Sequence, residues 1–462
     1  MLRTRFSARQ LLGQFHKLLP VSLIAGWLAL SQRSFYQRAF TPLVTLWYMV
    51  FQRLSDNHHL SHVQDDAREG GADRLSPRGR PLSTRISSES TSAYSDARQR
   101  LPLGLLWQTL WHSATQITQA FQGPRWFGLQ VALLDGSTYR LRPLGDIPKH
   151  FAPHRPGNCK KPPYWCVARV VGLVCLATGA LLDSAIGSLQ ASEQALSAGM
   201  LQARSWAGWL LLGDRNFGVY WVTGSIVAAG GQALVRLTRA RAAKLARVAG
   251  WELRPGLDAR LCWTPSAHDH CPEGVAPDPV EGRLLAVRVQ RPGYRSLTLY
   301  LFTTLLDPAQ CPVQQLAQLY AQRWNIELDF RYIKAQMQLG FLEAHSADIA
   351  RKEWVAGLIA YNLIRWTMAS AAALAKVPVR VLSFSRARDL LLGWLARSPA
   401  HGRSTHSWKR LLSRISHAQQ PRRRKRRPCE PRAIRAFHNN FAKLEGARSA
   451  ARKKLASLHR NS

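Results

Sequence analysis

The feature that most constrains the fold is a series of short apolar runs between about residues 127 and 212. Four β-rich runs, 128–134, 138–141, 166–177 and 180–187, precede a helical stretch at 192–204 and a further apolar run at 209–212. The order strand, strand, strand, helix, strand predicts an α/β domain in which a mixed sheet is flanked by helices. This is the order of a ribonuclease-H-like core.

The rest of the chain divides around this core. Residues 1–120 are predicted to be a helical region, interrupted near 70–92 by a Pro/Gly/Ser/Arg-rich stretch that predicts a disordered basic loop. The core domain is predicted to span residues 121–375. Strand-like runs within about 228–305 predict a β insertion in it, and residues 376–462 predict a helical and polybasic C-terminal region.

The charge of the chain indicates a polyanionic partner. The sequence has 64 Lys and Arg against 27 Asp and Glu, a formal net charge of +37. A compact protein with this excess repels itself unless a polyanion neutralises it, so nucleic acid is the expected partner. The run of six basic residues at 422–427 predicts phosphate binding without sequence preference.

Cysteine usage and hydropathy favour a reducing compartment and no membrane partner. The seven cysteines are scattered and form no C-x-x-C pair, which argues against a disulfide framework. The apolar run Val21–Leu30 is too short to span a bilayer. We interpret it as a buried helix rather than the core of a signal peptide.

Two aspartates follow apolar runs at places where a metal ion could bind. Asp135 is predicted to close the strand 131–134, and Asp214 follows the run 210–212, so both carboxylates should project at a sheet edge. Each has a simpler interpretation when taken alone. Asp-Gly after a strand is more often a hairpin turn, and Asp214 could be a turn residue or a helix N-cap.

A third acid lies in a more specific pattern. In the helix predicted from about Val313, the residues Tyr320, Arg323, Glu327 and Lys334 fall within an arc of roughly 60°. One helix face would then present a phenol, a guanidinium, a carboxylate and an ammonium together. A solvated helix face can also carry such charges.

The spacing Tyr-x2-Arg-x3-Glu-x6-Lys resembles the signature helix of the insertion-sequence-4 family of bacterial DDE transposases, and it matches at every fixed position. The order of the two aspartates and the predicted β insertion are similar to that family too. So are two N-terminal segments, at 40–47 and 92–102. The resemblance therefore extends from about residue 34 to the basic tail.

The resemblance implies a DNA transposase in which Asp135, Asp214 and Glu327 are the catalytic, metal-binding acids. Two Mg²⁺ ions, about 4 Å apart, would serve cleavage and joining, and Mn²⁺ would substitute. Double-stranded DNA would be bound as terminal inverted repeats and as target, by a synaptic homodimer in the bacterial cytoplasm, associated with the nucleoid. The DNA-binding side chains would be Tyr320, Arg323, Lys334, Trp324, Arg215 and Tyr300.

Excision by this family would pass through a hairpin at the end of the element. Tyr300 lies about where the family has an aromatic side chain that stacks on a flipped base. The family pattern has Trp there, and a strand tyrosine packed in the core is an equal alternative.

Three features stay open from the sequence. The run His268-Asp269-His270-Cys271 has ligand-type residues but no second pair at zinc spacing, which favours a solvated loop. Repeat recognition is expected in the N-terminal region, with Arg78, Arg80, Arg85, Arg98 and Arg100 as phosphate contacts. Two rival functions are a catalytically retired, transposase-derived DNA-binding protein and a ribonuclease-H-like nuclease that cuts branched DNA.

Overall fold

A computed structural model of the chain describes residues 6–30, 38–76, 80–153, 165–266, 269, 277–289, 297–397, 405–420, 447, 449–450 and 453. Residues 1–288 and 298–421 form one compact unit, and residues 289–297 with 422–462 form a second. Both proposed sites below lie within the first unit.

One mixed sheet organises the first unit. Among the described residues it has nine strands, in the spatial order β3-β2-β1-β4-β5-β8-β7-β6, with β9 paired to β1. The strands are β1 (Gln130–Leu141), β2 (Cys166–Cys175), β3 (Leu181–Ser188), β4 (Trp209–Gly213), β5 (Gln232–Arg236), β6 (Asp258–Trp263), β7 (Val280–Val289), β8 (Leu297–Thr303) and β9 (Phe341–Leu342).

Strand β1 lies at the centre of the sheet and is longer than the sequence predicts. It pairs antiparallel with β2 along residues 132–141 and parallel with β4 only along residues 130–134. The expectation that Asp135 closes the strand is therefore wrong. The pairing with β2 continues through Asp135 and Gly136, opposite Gly172 and Val171, so the Asp-Gly pair has no freedom to turn.

The strands between the second aspartate and the signature helix extend the same sheet. β5 pairs parallel with β4 on one side and antiparallel with β8 on the other. β6 and β7 then continue the sheet as an antiparallel pair. The predicted β insertion is thus continuous with the central sheet.

Helices cover the sheet and build the N-terminal region. They are α1 (Ala8–Phe15), α2 (Val21–Leu30), α3 (Pro42–Leu54), α4 (Leu60–Arg68), α5 (Ser92–Arg100), α6 (Leu103–Ala120), α7 (Ile147–His150), α8 (Glu193–Gln202), α9 (Tyr220–Ala228), α10 (Arg239–Val248), α11 (Val313–Ala321), α12 (Asn325–Arg331), α13 (Ala347–Ala375), α14 (Phe384–Arg397) and α15 (Thr405–His417).

Helix α13 connects the N-terminal helices to the sheet. It is buried on nearly all sides, as expected for a helix that is apolar around most of its circumference. It packs against α3, α6, α14, α15 and strand β3. None of the described helices combines the length and apolar character needed to cross a bilayer.

Two N-terminal expectations need correction. Helix α2 forms as predicted but is not buried, because Ile24 is its one buried residue. The described part of 70–92 contains two 3₁₀ turns, Asp73–Leu75 and Ser83–Arg85, rather than a purely disordered loop. Asp73 accepts hydrogen bonds from the backbone N–H and the hydroxyl of Ser83, which ties the two turns together.

Candidate carboxylate site

The two aspartates come together because their strands are parallel neighbours in matched register. Leu134 of β1 lies opposite Gly213 of β4, and the pairing stops there. Asp135 and Asp214 are the next residues on the two strands. Ligand sites in α/β sheets form at this position, where neighbouring strands diverge at their carboxyl ends.

Asp135 is largely enclosed, with 17% of its side chain exposed. Its Oδ1 accepts a hydrogen bond from the backbone N–H of Gly136 at 2.8 Å. Burial raises the pKa of Asp135 to about 6; Asp214 and Glu327 add to the rise, and the bonds from Gly136 and Arg323 oppose it. The response to both acids shows that three carboxylates share one electrostatic environment.

Asp214 is half-buried and shapes the loop that carries it. Its Oδ1 accepts hydrogen bonds from the backbone N–H groups of Asn216, at 2.8 Å, and Phe217, at 3.4 Å. This is the turn geometry that the simpler interpretation of Asp214 anticipates. The turn also fixes the carboxylate beside Asp135, so the two interpretations are compatible.

Glu327 is brought to Asp135 by Arg323. The guanidinium of Arg323 donates to Asp135 Oδ2 at 3.0 Å and to Glu327 Oε1 at 2.8 Å. Arg323 therefore bridges two carboxylates that are 192 positions apart in sequence. A buried arginine held by two acids is a fixed cation, and its planar fork suits two carboxylates better than a lysine would.

The signature helix is not one continuous α-helix. Helix α11 ends at Ala321, a 3₁₀ turn covers Gln322–Trp324, and α12 is followed by a π-helical turn at Tyr332–Gln336. The single-helix arc predicted from the sequence is therefore wrong in detail. Short 3₁₀ and π segments inside helices are frequent at functional sites, because they redirect side chains.

The other residues of the signature have different environments. Tyr320 is buried, hydrogen-bonded to Arg323, and burial raises its pKa to about 12. Trp324 is 65% exposed, with the Arg323 guanidinium 5.6 Å from its ring centre. Lys334 is half-buried, and burial lowers its pKa. The structure thus joins Tyr320, Arg323 and Glu327, while Lys334 lines a neighbouring cavity.

No ready metal cage exists in the residues that the structure describes, since no three acidic, histidine or cysteine side chains converge closely enough to hold an ion as they stand. The chemistry of the donor set nevertheless fits Mg²⁺, which prefers carboxylate oxygens. The guanidinium of Arg323 bonds to two of the three acids. It would have to release them for a cation to bind there.

The remaining predicted DNA-binding residues differ in their exposure. Tyr300 on β8 is partly buried against the apolar cluster that contains Trp263 and Phe302, which agrees with the core alternative. Arg215 is exposed in the loop after Asp214. Arg98 is buried and paired with Glu353, so it is not presented on the surface as a phosphate contact would be.

Several other predicted features lie outside the described residues, and Asp269 is described without its sequence neighbours. Arg78, the basic run 422–427 and the cysteine and histidines at 268, 270 and 271 are outside them. Asp269 accepts hydrogen bonds from the backbone and hydroxyl of Ser266.

Sequence reasoning missed a fourth acid beside the site. Glu193, the first residue of α8, accepts a hydrogen bond from the side chain of Asn216 at 2.6 Å. A Cβ added to Gly136 would lie 2.1 Å from the Glu193 carboxyl carbon, so a larger residue at 136 would require the Glu193 side chain to move. Burial raises the pKa of Glu193. The one sequence signal was a glycine directly after a candidate acid.

A second missed feature is a buried ionic cluster behind the signature helix. Asp329 is fully buried and pairs with Arg365 and with Arg380, whose Nη1 lies 2.7 Å from Asp329 Oδ2. The hydroxyl of Tyr361 also donates to Asp329. Arg380 donates further to the carbonyl oxygens of Leu176 and Cys175, so the cluster fastens α12 to the end of β2.

One family of known proteins matches the part of the chain that contains the sheet and its acids. Residues 126–363 match the family described as the transposase DDE domain. The match covers more than half of the chain, and the chain belongs to this family. The predicted resemblance to insertion-sequence-4 transposases is confirmed.

Two similar proteins illustrate the relationship. The chain is 25% identical over 442 residues to the transposase InsG for insertion sequence element IS4 of Escherichia coli strain K12, covering 93% of each chain. A solved structure, the piggyBac transposase synaptic complex with hairpin DNA, shares 12% identity at a TM-score of 0.39, over 89% of this chain and 86% of that one. The structural likeness is too weak to support a conclusion.

Proposed function

We propose that the chain is a DNA transposase that binds the terminal inverted repeats of an insertion sequence, excises the element and joins it to target DNA. Asp135, Asp214 and Glu327 are its catalytic acids in this proposal. The observation that carries it is the convergence of Asp135 and Glu327 on Arg323, beside Asp214, in a chain of the transposase DDE domain family.

The sheet supports a ribonuclease-H-like assignment for the core. Its first five strands lie in the order 3-2-1-4-5, with β2 antiparallel to β1 and β3, and β4 parallel to β1 and β5. We assign the ribonuclease-H-like class on this order. Asp135, just after the point where β1 stops pairing with β4, and Asp214, directly after β4, then mark the active edge of the sheet.

The three carboxylates would hold Mg²⁺, or Mn²⁺ in its place, as the metal of this site. When bound, such ions supply an activated water and stabilise the leaving oxygen of a phosphodiester. The protein's own contribution is the placement of the acids. β1 and β4 fix the two aspartates, and the cluster around Asp329 fixes the turn of helix that bears Glu327.

Arg323 and Lys334 would bind phosphates on either side of the scissile bond. Among the described residues, Arg323 hydrogen-bonds to both Asp135 and Glu327, so it already lies where a phosphate must approach the acids. A phosphate that takes over the Arg323 guanidinium would release both carboxylates. Buried Tyr320 would act on Arg323 rather than on DNA, because its hydroxyl is hydrogen-bonded to it.

The finer steps carried by the family resemblance are part of the same proposal. They are hairpin formation at the excised end, a synaptic homodimer and a nucleoid-associated location in a bacterial cytoplasm. Trp324 is better placed than Tyr300 to meet DNA bases, because it is 65% exposed beside Arg323 whereas Tyr300 packs in the sheet. Arg215, exposed beside Asp214, would contact backbone phosphate.

The test is an excision and joining assay with purified full-length protein, Mg²⁺ and DNA that carries the terminal repeats of the element. We expect double-strand cuts at the element ends and joined products. Asp135→Ala, Asp214→Ala and Glu327→Ala should each abolish both, and Glu252→Ala, an exposed acid elsewhere, should not. Binding without cuts would establish the retired DNA-binding protein instead. Cuts at branches without joining would establish the nuclease.

A further inference from the structure

A large cavity lies beside the carboxylate site, on the far side of Lys334. Its volume is about 1330 Å³, and it is lined by the N-terminal helices α3 and α5, by residues 138–140 of β1 and by α13. Thr138, which lines the cavity, is three residues along β1 from Asp135. Pockets for small molecules occupy about 300–1,000 Å³, so this cavity has room for a larger ligand.

The walls of the cavity contain buried polar atoms without partners. Within the described part of the chain, no hydrogen bond satisfies Nε of Arg53, Nε of Arg98, Oε2 of Glu353 or the hydroxyl of Tyr139. All four side chains are less than 8% exposed and line this cavity. These four atoms are enclosed within the wall, three of them in the ion-pair cluster of Glu353 with Arg53 and Arg98, so the wall behind the cavity is polar rather than apolar.

The charge of the lining favours an anion. Each acid that lines the cavity is already paired with arginine: Asp56 with Arg388, Glu343 with Arg142, and Glu353 with both Arg53 and Arg98.

Two cations of the lining stay uncompensated. Neither Arg140 nor Lys334 has an ion pair among the described residues, although Arg140 stacks on the ring of Trp165. They lie on the wall shared with β1 and the π-helical turn. The lining is therefore net positive next to the site where a phosphodiester would bind.

We infer that this cavity binds an unpaired segment of DNA strand that leaves the duplex next to the scissile phosphate. Arg140 and Lys334 bind its phosphates, and exposed polar side chains of the lining, Gln99 and Gln338, meet base edges. A strand whose bases are unstacked exposes both the phosphates and the base edges that the lining can bind.

This inference rests on the proposal that the chain acts on DNA ends, but its test needs no cleavage. Ser95 of α5 lines the cavity, and Ala93 is exposed on the same helix outside it. A photoreactive benzophenone amino acid placed at either position, in the full-length protein in EDTA, reports which DNA is within reach. The probes are a blunt duplex and the same duplex with a six-nucleotide unpaired strand at its end.

We expect position 95 to cross-link the unpaired strand at least 10-fold more than the blunt duplex. Position 93 should show no preference. Arg140→Ala should lower the yield at position 95 several-fold, and Arg254→Ala, an exposed arginine outside the cavity, should not. Because the basic tail is common to all these proteins, it cannot create the difference between positions.

Equal cross-linking of the two probes at position 95 would overturn the inference. So would an unchanged yield at position 95 in Arg140→Ala. Far-ultraviolet circular dichroism on each variant shows that it is folded. Selective cross-linking in a protein that fails to cut DNA would refute the proposed function but support the strand-binding site. DNA cutting without selective cross-linking would support the proposed function and refute the strand-binding site.

Discussion

Two acids that stand two residues apart on helix α12 have opposite environments. The Glu327 side chain is 40% exposed and shares a single arginine with Asp135. Asp329 is fully buried, pairs with two arginines and accepts a hydrogen bond from a tyrosine hydroxyl. One turn of helix thus faces the candidate site with one side and the core with the other.

The difference distinguishes Asp329, which holds helix α12 in place, from Glu327, which faces the candidate site. Removing one partner of a buried ion pair leaves an uncompensated buried charge and is strongly destabilising. Removing an acid from a crowded group of carboxylates relieves repulsion and costs little stability. Asp329 should therefore matter for folding, and Glu327 and Asp135 for chemistry.

The largest expected effect is on activity. Asp135→Ala, Asp214→Ala or Glu327→Ala should each lower the rate of DNA strand cleavage at least about 10³-fold, equivalent to about 4 kcal/mol of transition-state stabilisation. Their free energies of unfolding, from urea titration, should stay within about 1 kcal/mol of the parent protein. An alanine variant that keeps more than a tenth of the parental rate would remove that acid from the site.

The next effect concerns the buried acid, Asp329, whose removal should lower the stability of the protein. Asp329→Ala should lower the free energy of unfolding by about 3–5 kcal/mol, because Arg365 and Arg380 lose their shared partner. Asp389→Ala, which removes an exposed acid with a 3.6 Å contact to Arg388, should change it by less than about 0.5 kcal/mol. A loss of less than about 1 kcal/mol in Asp329→Ala would erase the contrast between the two acids.

The bridge through Arg323 gives an intermediate effect. Arg323→Ala should strengthen Mn²⁺ binding to the DNA-free protein several-fold, because the guanidinium no longer occupies two of the acids. It should also slow DNA cleavage, since the same cation binds phosphate in the proposed function. Paramagnetic resonance of free Mn²⁺ measures the affinity, and Arg331→Ala, exposed on the same helix, is the control. Weaker Mn²⁺ binding in Arg323→Ala would contradict the claim that Arg323 hinders metal binding by occupying the two acids.

The smallest effect is a pH dependence of stability in metal-free protein. The folded-state pKa of Asp135 is raised from 3.8 to about 6, so the fold holds this proton more tightly than the unfolded chain does. The stability that Asp135 contributes is complete below about pH 3.8 and is lost as the pH rises through about 6.

Asp135→Asn should therefore reduce the fall in unfolding free energy between pH 4 and pH 7 by an amount on the order of 2 kcal/mol. Urea titrations at a series of pH values in EDTA measure it. The other titrating groups are common to both proteins and cancel in the difference. Parallel curves for the two proteins would show that Asp135 has no raised pKa.

The acids of the candidate site were accessible from the sequence because each belongs to a local pattern. Asp135 and Asp214 follow apolar runs, and Glu327 lies in a fixed spacing with Tyr320 and Arg323. The central strands were predictable for the same reason, since their apolar runs are long and uninterrupted. The position of Asp135 within β1 was not predictable, because the length of this strand depends on its pairing with β2.

The buried cluster was not predictable from local pattern, because its partners come from three separate segments. Asp329 lies on α12, Arg365 on α13, and Arg380 follows α13. A weak signal existed: Arg365 interrupts a long apolar helix, and a single charge in such a helix usually has a buried partner. The sequence alone does not say which acid that partner is.

The central claim, that Asp135, Asp214 and Glu327 surround one metal site, is tested most directly by local cleavage of the protein itself. Fe²⁺ placed in the Mg²⁺ site, with ascorbate and peroxide, generates radicals that cut the nearest backbone. We predict cuts in the DNA-bound protein near residues 135, 214 and 327 together, with all three suppressed in Asp135→Ala. Cuts at only one of these places, or unchanged cuts in that variant, would contradict the claim.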